Sequence, residues 1–109
     1  MLSRNNRLTK RGSFTFVYNR GARQSRGVVA LIFVTSKNLR VGFSVPNKVG
    51  KATVRNKLKR QMRAIIREYL PSIKPAQIVF ALRAEADKLG YTELKAKVWE
   101  LLGRAKLVI

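Results

Sequence analysis

The sequence predicts a single α+β domain in which helices pack against a β-sheet. Three observations favour this class. The chain of 109 residues fits one domain, its apolar fraction of 46% is typical of a globular core, and helix-periodic segments alternate with strand-like ones. Residues 1–109 are therefore predicted to form one domain, with residues 1–8 as a flexible basic arm.

The first predicted element is a short helix over 9–18, which ends before Gly21. Within it Phe14, Val17 and Tyr18 share one face, because they are spaced by three and four residues. Phe16 points elsewhere on the helix. Four aromatic residues are candidates either for the core or for stacking against unpaired bases: Phe14, Phe16, Tyr18 and Phe33.

Two extended segments follow this helix. Residues 22–35 are predicted to be extended with a break at Gly27, and the apolar half of this segment suits a strand covered on both faces. After a turn, residues 39–45 alternate cleanly between apolar and other side chains. The second face of this strand is small and polar and resembles the floor of a groove; it comprises Arg40, Gly42 and Ser44.

The most strongly periodic helix is predicted over 53–69, with Thr53 as its N-terminal cap and Pro71 as its stop. An apolar stripe repeats at helical spacing and comprises Val54, Leu58, Met62, Ile65 and Tyr69. Basic residues occupy much of the remaining circumference: Lys57, Lys59, Arg60, Arg63 and Arg67. A strand over 77–82 and a final amphipathic helix over 92–102 complete the pattern.

The charge of the chain is strongly basic and unevenly distributed. There are 24 Lys and Arg against five Asp and Glu, for a formal net charge of +19. The first 67 residues contain 17 of the basic residues and no acid, whereas the remainder carries seven bases and five acids. Such an excess repels itself unless a polyanion neutralises it, and a nucleic acid is the leading candidate.

The composition also excludes several kinds of chemistry. The chain has no His and no Cys, so it lacks the usual proton carrier near neutral pH and the ligands of a structural zinc site. No acid cluster and no phosphate-binding glycine motif is present. We therefore expect a binding protein without catalytic or metal-ligating residues of its own. The absence of cysteine and of an apolar leader predicts a cytoplasmic location without membrane attachment.

The segment from Asn47 to Arg60 joins the groove-floor strand to the basic helix through a turn at Gly50. Cations spaced along a rigid helix can follow the phosphates of a nucleic acid. Asn56 offers both a donor and an acceptor to a sugar or a base edge. We therefore predict a nucleic-acid-binding surface on this helix.

Other classes of protein fit parts of this pattern. A ribosomal or general RNA-packaging protein would have a similar charge and size, but the ordered strand, turn and helix argue against it. A DNA-binding helix-turn-helix protein needs two helices joined by a tight turn, whereas residues 46–51 follow a strand. A membrane-surface peptide would be mostly one amphipathic helix. An autonomous nuclease would need more acids than this chain has.

The chain resembles the protein component of bacterial ribonuclease P over nearly its whole length, although mainly in pattern over its C-terminal third. The matching residues are Arg7-Leu8, Phe14, Tyr18, Gly21, the string from Leu39 to Val45 and the string from Lys48 to Arg60. The resemblance implies a two-layer α-β sandwich with a four-stranded sheet, about three helices and a left-handed βαβ crossover, as in a ribosomal protein domain.

The resemblance also implies a function. In this family an RNA subunit, which binds most of the Mg²⁺, hydrolyses a phosphodiester bond and removes the 5′ leader from precursor tRNA. The protein binds the RNA subunit and holds the leader in a cleft, without an obligate protein partner. By position, the residues implied to bind the RNA subunit are Lys51, Arg55, Asn56, Lys57, Lys59, Arg60 and Arg63. Those implied to bind the leader are Phe14, Tyr18, Arg40, Ser44 and Lys48.

The chain departs from the family pattern in three places. Lys57 replaces the second arginine of an Arg-Asn-Arg motif, which keeps the charge and loses the planar guanidinium group. Pro46-Asn47-Lys48 stands where Ser-Lys-Lys is frequent, so one cation of the cleft rim is missing. Tyr18 stands where Phe is common. The first and third changes can soften the affinity for RNA.

Overall fold

The computed structural model describes residues 6–8 and 11–109, so the predicted start of the first helix at Thr9 lies outside the described residues. The helices are α1 (Arg11–Arg20), α2 (Ala52–Tyr69) and α3 (Tyr91–Arg104). The strands are β1 (Ala22–Arg26), β2 (Val29–Thr35), β3 (Arg40–Ser44) and β4 (Ala76–Leu82). The helices and strands predicted from the sequence are thus all present, with small shifts at their ends.

The four strands form one mixed sheet in the order β1-β2-β4-β3. β1 and β2 form an antiparallel hairpin that turns at Gly27, where the sequence predicts a break. β4 pairs antiparallel with β2 and parallel with β3. The parallel pair is connected through α2, which makes β3, α2 and β4 the βαβ unit that the resemblance implies.

The alternation of side chains along the strands divides the core into two parts. On one face of the sheet, Leu31 and Phe80 belong to a large cluster with the buried side chains of α2 and α3. On the other face, Ile32 and Val79 pack with Val17 of α1. The helices α2 and α3 therefore form the helical layer of the sandwich, and α1 lies on the opposite face of the sheet.

The buried face of α2 agrees with the centre of the predicted apolar stripe, whereas Val54 and Tyr69 at its ends are partly buried. The buried residues of α2 are Leu58, Met62, Ile65 and Ile66, and those of α3 are Leu94, Val98, Leu101 and Leu102. Each large aliphatic side chain removed from water stabilises the fold by roughly 1.5–3 kcal/mol before entropy is counted. Within residues 6–8 and 11–109, no helix is both long enough and apolar enough to cross a bilayer.

Residues 6–8 lie along the edge of β3 instead of forming part of a flexible arm. The Leu8 N–H donates a hydrogen bond to the Val41 carbonyl at 3.0 Å. The Leu8 side chain is only 6% exposed and packs in the same cluster as Val17. The predicted arm is therefore wrong for these three residues, because burial of one apolar side chain anchors them to the sheet. Residues 1–5 lie outside the described part of the chain.

Candidate nucleic-acid interface

The outward face of α2 carries a continuous series of polar and basic side chains. Burial of Leu58, Met62 and Ile65 in the core turns this face toward solvent. Two adjoining grooves of about 510 and 390 Å³ run along it and share Arg60 and Arg63. We name this surface the α2 stripe; it comprises Thr53, Asn56, Lys59, Arg60, Arg63 and Arg67.

The side chains of the α2 stripe carry a net positive charge. The acid that lines its grooves is Glu68, at the C-terminal end of the helix. The Glu68 carboxylate accepts a hydrogen bond from the ammonium group of Lys95 on α3, and this bond raises the pKa of Lys95. Because a cation of α3 compensates this acid, the stripe keeps the sign of charge that attracts a polyanion.

The start of α2 has no side-chain cap, and Arg55 makes a hydrogen bond to the loop before it. Lys51 occupies the N-cap position without a side-chain hydrogen bond, and the helix begins at Ala52, so the prediction of Thr53 as the cap is wrong. The Nε atom of Arg55 donates a hydrogen bond to the Gly50 carbonyl at 3.1 Å. This bond ties the first turn of the helix to the preceding loop, and it gives Arg55 a structural role besides its predicted contact with RNA.

A small cleft of about 130 Å³ lies at the edge of the sheet between α1, β3 and α2. Phe14 covers Gly42, where a Cβ atom would lie only 2.5 Å from the tip of the Phe14 ring. The missing side chain at Gly42 therefore lets an aromatic ring approach the strand. We name this site the edge cleft; it is lined by Arg7, Leu8, Phe14, Val41, Gly42, Phe43, Lys59 and Arg63.

The α2 stripe and the edge cleft share two cations. Lys59 and Arg63 line a groove of the stripe together with Asn56, and they also line the cleft that contains Phe14. The family resemblance implies that these two cations bind only the RNA subunit, and that Phe14 belongs to a separate site for the leader. The fold joins the two predicted sites into one surface.

The other residues predicted to bind a leader do not line the edge cleft; they lie on α1, on β3 and in the turn that follows β3. Tyr18 follows Phe14 by one helical turn and is 37% exposed. Arg40 and Ser44 stand at opposite ends of β3, about 13 Å apart at the usual rise of a strand. Lys48 is exposed in the short helical turn that follows β3. These positions suit an extended chain that passes over the sheet better than a compact ligand.

The sequence pattern does not single out Arg7, Leu8 or Phe43 as lining residues of a site. Arg7 and Leu8 reach the cleft because their segment pairs with β3, a contact that spans more than 30 residues of sequence. The available signal is weak: Leu8 is an isolated apolar residue in a polar and basic segment. Strand alternation places Phe43 on the apolar face of β3, but the same pattern equally predicts that Phe43 is a core residue.

Three predicted contacts with an RNA subunit lie beside the α2 stripe and not in it, namely Lys51, Arg55 and Lys57. Lys57 lines a different groove, between α2 and the turn that contains Asp87, and Lys51 is exposed at the N-cap. Their roles in RNA binding stay predictions. The position of Lys57 favours a weaker contact than the positions of Asn56 and Arg60, which lie together in one groove.

The donor groups of the described residues do not fit a resident Mg²⁺ ion. Among residues 6–8 and 11–109, no three His, Cys, Asp or Glu side chains come together. Three of the five carboxylates form ion pairs with Lys or Arg, namely those of Glu68, Glu85 and Glu100. Mg²⁺ prefers an octahedron of oxygen ligands that includes carboxylates or phosphates, so phosphates from another molecule are better ligands than this chain.

Known proteins resemble this chain over almost its whole length. A family model described as Ribonuclease P matches residues 2–106. The Ribonuclease P protein component of Pseudanabaena is 37% identical, over 99% of this chain and 97% of its own length. The Ribonuclease P protein component of Bacillus velezensis is 31% identical, over 97% of this chain and 94% of its own length.

Solved structures share the arrangement of helices and strands. The RNase P protein of Thermotoga maritima, in complex with 1-(4-fluorophenyl)-2-thiourea, is 30% identical and has a TM-score of 0.84, over 90% of this chain and 98% of that chain. The RNase P protein of Staphylococcus aureus has a TM-score of 0.89 at 24% identity, over 95% of this chain and 98% of that chain. These likenesses confirm the predicted α+β fold with its four-stranded sheet and three helices.

Proposed function

The chain belongs to the bacterial ribonuclease P protein family, and on this premise we propose how it takes part in tRNA processing. It is a subunit of an endoribonuclease in which the partner is a catalytic RNA. It binds that RNA and the 5′ leader of precursor tRNA. In doing so it assists the Mg²⁺-dependent removal of the leader, which leaves the mature 5′ end of the tRNA.

The observation that carries this proposal is the junction between the α2 stripe and the edge cleft. Lys59 and Arg63 line both, so one continuous basic surface passes from an exposed helix to an aromatic cleft. A protein that brings two RNA molecules together needs such a surface, because the phosphates of both must approach each other. Cations at the junction reduce the repulsion between the two phosphate backbones.

The α2 stripe suits the RNA subunit. Its cations lie on one face of a rigid helix of 18 residues, which spans about 27 Å at the usual rise. Structured RNA is recognised largely through its shape, its phosphates and its 2′-hydroxyl groups. Arginine side chains such as Arg60 and Arg67 bind phosphate with two parallel hydrogen bonds, and Asn56 can donate to or accept from a ribose.

The edge cleft and the sheet beside it suit a single-stranded leader. Phe14 offers an aromatic ring to an unpaired base, and such stacking contributes roughly 1–3 kcal/mol per base for any base. Lys59, Arg63 and Lys48 supply cations for the phosphates between the bases. Binding of this kind depends little on sequence, so the same cleft accepts leaders of different composition.

In this proposal the hydrolytic step takes place in the RNA subunit. The chain has no His and no Cys, and the Mg²⁺ that the reaction needs belongs mainly to the RNA. The contribution of the protein is to neutralise phosphate charge and to position the leader, which lowers the Mg²⁺ concentration that the RNA requires. We place the complex in the cytoplasm, with no membrane and no obligate protein partner.

Replacing Phe14 with alanine is expected to remove most of the preference for leader-containing tRNA. The ring lies in the edge cleft beside the shared cations, and one lost stacking contact corresponds to about a tenfold loss in affinity. The measurement is the affinity of the holoenzyme for precursor tRNA divided by its affinity for mature tRNA. This ratio is expected to fall about tenfold in the Phe14→Ala holoenzyme.

The ratio separates a local effect from general damage to the fold. Phe14 also packs against the core cluster around Val17, so a destabilised protein would lose both affinities together and leave the ratio unchanged. A Phe14→Leu variant keeps an apolar side chain beside Val17 and loses the ring, so its ratio is expected to fall by about the same factor as in Phe14→Ala. An unchanged ratio in Phe14→Ala would mean that the leader does not use this cleft.

A further inference from the structure

Phe16 is an exposed aromatic residue that belongs neither to the core nor to the edge cleft. Its side chain is 46% exposed, although its neighbour Val17 is completely buried. At about 100° per residue, Phe16 and Tyr18 lie on opposite flanks of α1. A ligand that contacts Phe14 and Tyr18 therefore leaves Phe16 on the far side of the helix.

The surroundings of Phe16 leave its ring open to a ligand. Side chains on a helix lean toward the N-terminus, over the residues three and four positions earlier. The residue four positions before Phe16 is Gly12, which has no side chain, and the space at its Cβ position is empty to 4 Å. The residue four positions after Phe16 is Arg20, which is exposed. An open aromatic ring thus lies next to a cation on one helical face.

The positive charge on the helix that carries Phe16 favours a negatively charged ligand. No Asp or Glu occurs in the first 67 residues, and α1 is flanked by Arg11 and Arg20 at its ends. Trp99 is similarly exposed, at 41%, but its surroundings differ. Its ring packs on Tyr69 with 4.6 Å between centroids, beside the ion pair of Lys95 with Glu68. Of these two rings, Phe16 is the one that is not covered by another ring and has no acid on its own helix.

We propose that Phe16 is a second base-stacking site, outside the edge cleft, that binds an unpaired nucleotide of RNA. The ring covers one face of the base, and Arg20 lies within one helical turn to contact the adjacent phosphate. The proposal rests on the RNA-binding function given above, but not on the role of the edge cleft. The nucleotide belongs either to precursor tRNA or to the RNA subunit, which offer the same chemistry.

The test places a tryptophan at the proposed site. The chain has a single tryptophan, so the variant Trp99→Phe with Phe16→Trp reports fluorescence from position 16 alone. We expect quenching when it binds RNA, because a stacked base quenches an indole. Titration with the RNA subunit, precursor tRNA and mature tRNA identifies the source by which RNA gives the quenching. Complex formation with all three RNAs and no quenching would overturn the proposal.

Affinity provides an independent readout. Phe16→Ala is expected to weaken binding of the RNA that quenches by about tenfold, and Phe16→Tyr by less than about twofold. The matched control is Thr15→Ala, an exposed position on the same helix. Equal affinities of Phe16→Ala and the parent protein would contradict the stacking site and leave the leader cleft unaffected. Failure of the parent protein to bind any RNA would contradict both proposals together.

Discussion

Replacing Arg60 and Arg63 together with alanine is expected to weaken binding of the ribonuclease P RNA subunit by about 100-fold. Both guanidinium groups line the two grooves of the α2 stripe. A hydrogen bond to a charged partner contributes roughly 1.5–3 kcal/mol, so the loss of two gives at least this effect. Each lost phosphate contact also reduces the slope of log affinity against log salt by about one. The slope is therefore expected to fall by about two.

The matched control for this pair replaces Lys74 and Lys88 with alanine. It removes the same charge from exposed positions that lie outside the acid-free segment, and Lys88 loses only an exposed ion pair with Glu85. Such pairs contribute little to stability, and we expect the affinity to change by less than about threefold from the altered net charge alone. Equal losses in the two double variants would show that total charge, and not the α2 stripe, determines the affinity.

Replacing Gly21 with alanine is expected to lower the free energy of unfolding by about 3 kcal/mol. Gly21 connects α1 to β1, and its N–H donates to the Val17 carbonyl at 2.7 Å. A Cβ atom there would lie 2.5 Å from that carbonyl oxygen and 2.9 Å from the carbonyl oxygen of Phe33. Both contacts are with backbone atoms, which cannot rotate away. The midpoint of thermal unfolding, measured by circular dichroism, is expected to fall by roughly 10–20 °C.

The same substitution at Gly103 is the control. Gly103 lies in the last turn of α3, and a Cβ atom there would meet nothing within 4 Å. Alanine has the higher helix propensity, so Gly103→Ala is expected to stabilise the protein by about 0.5–1 kcal/mol. A Gly21→Ala protein that unfolds at the temperature of the parent would contradict the close contact between α1 and the sheet.

Much of the fold follows from the sequence because its core segments have clear periodicities. The helical spacing of Leu58, Met62 and Ile65 predicts α2 and its buried face, and the structure confirms both. The alternation around Val41 and Phe43 predicts β3 in the same way. The handedness of the βαβ unit is different, since no local pattern contains it and it was implied by the family resemblance alone.

The candidate site was predictable in its parts but not in its arrangement. Helical spacing predicts that Asn56, Arg60 and Arg63 share a surface, and this surface exists. The opening of that surface into the cleft of Phe14 depends on how α1 and α2 meet the edge of the sheet, which is a tertiary contact. The hydrogen bond between Leu8 and Val41 could not be predicted from the sequence either, because a three-residue segment is too short to show a period.

The hydrogen bond from Arg55 to the Gly50 carbonyl shows that a sequence motif alone does not determine the role of a residue. The family motif implies that Arg55 contacts RNA, whereas the structure shows that its Nε atom is engaged by the chain itself. A position in a motif therefore has more than one physical reason to hold arginine. Lys57 illustrates the converse, since it lies in the same motif and yet in a groove apart from the α2 stripe.

The most direct test of the proposed function is cleavage of precursor tRNA by a reconstituted complex at low Mg²⁺ concentration. Four mixtures are compared: a bacterial ribonuclease P RNA alone, the protein alone, both together, and the RNA with the Arg60→Ala, Arg63→Ala protein. We expect only the RNA with the parent protein to release the 5′ leader at an appreciable rate. A protein that binds the RNA and does not increase leader release would contradict the proposed function and leave a general RNA-binding protein in its place.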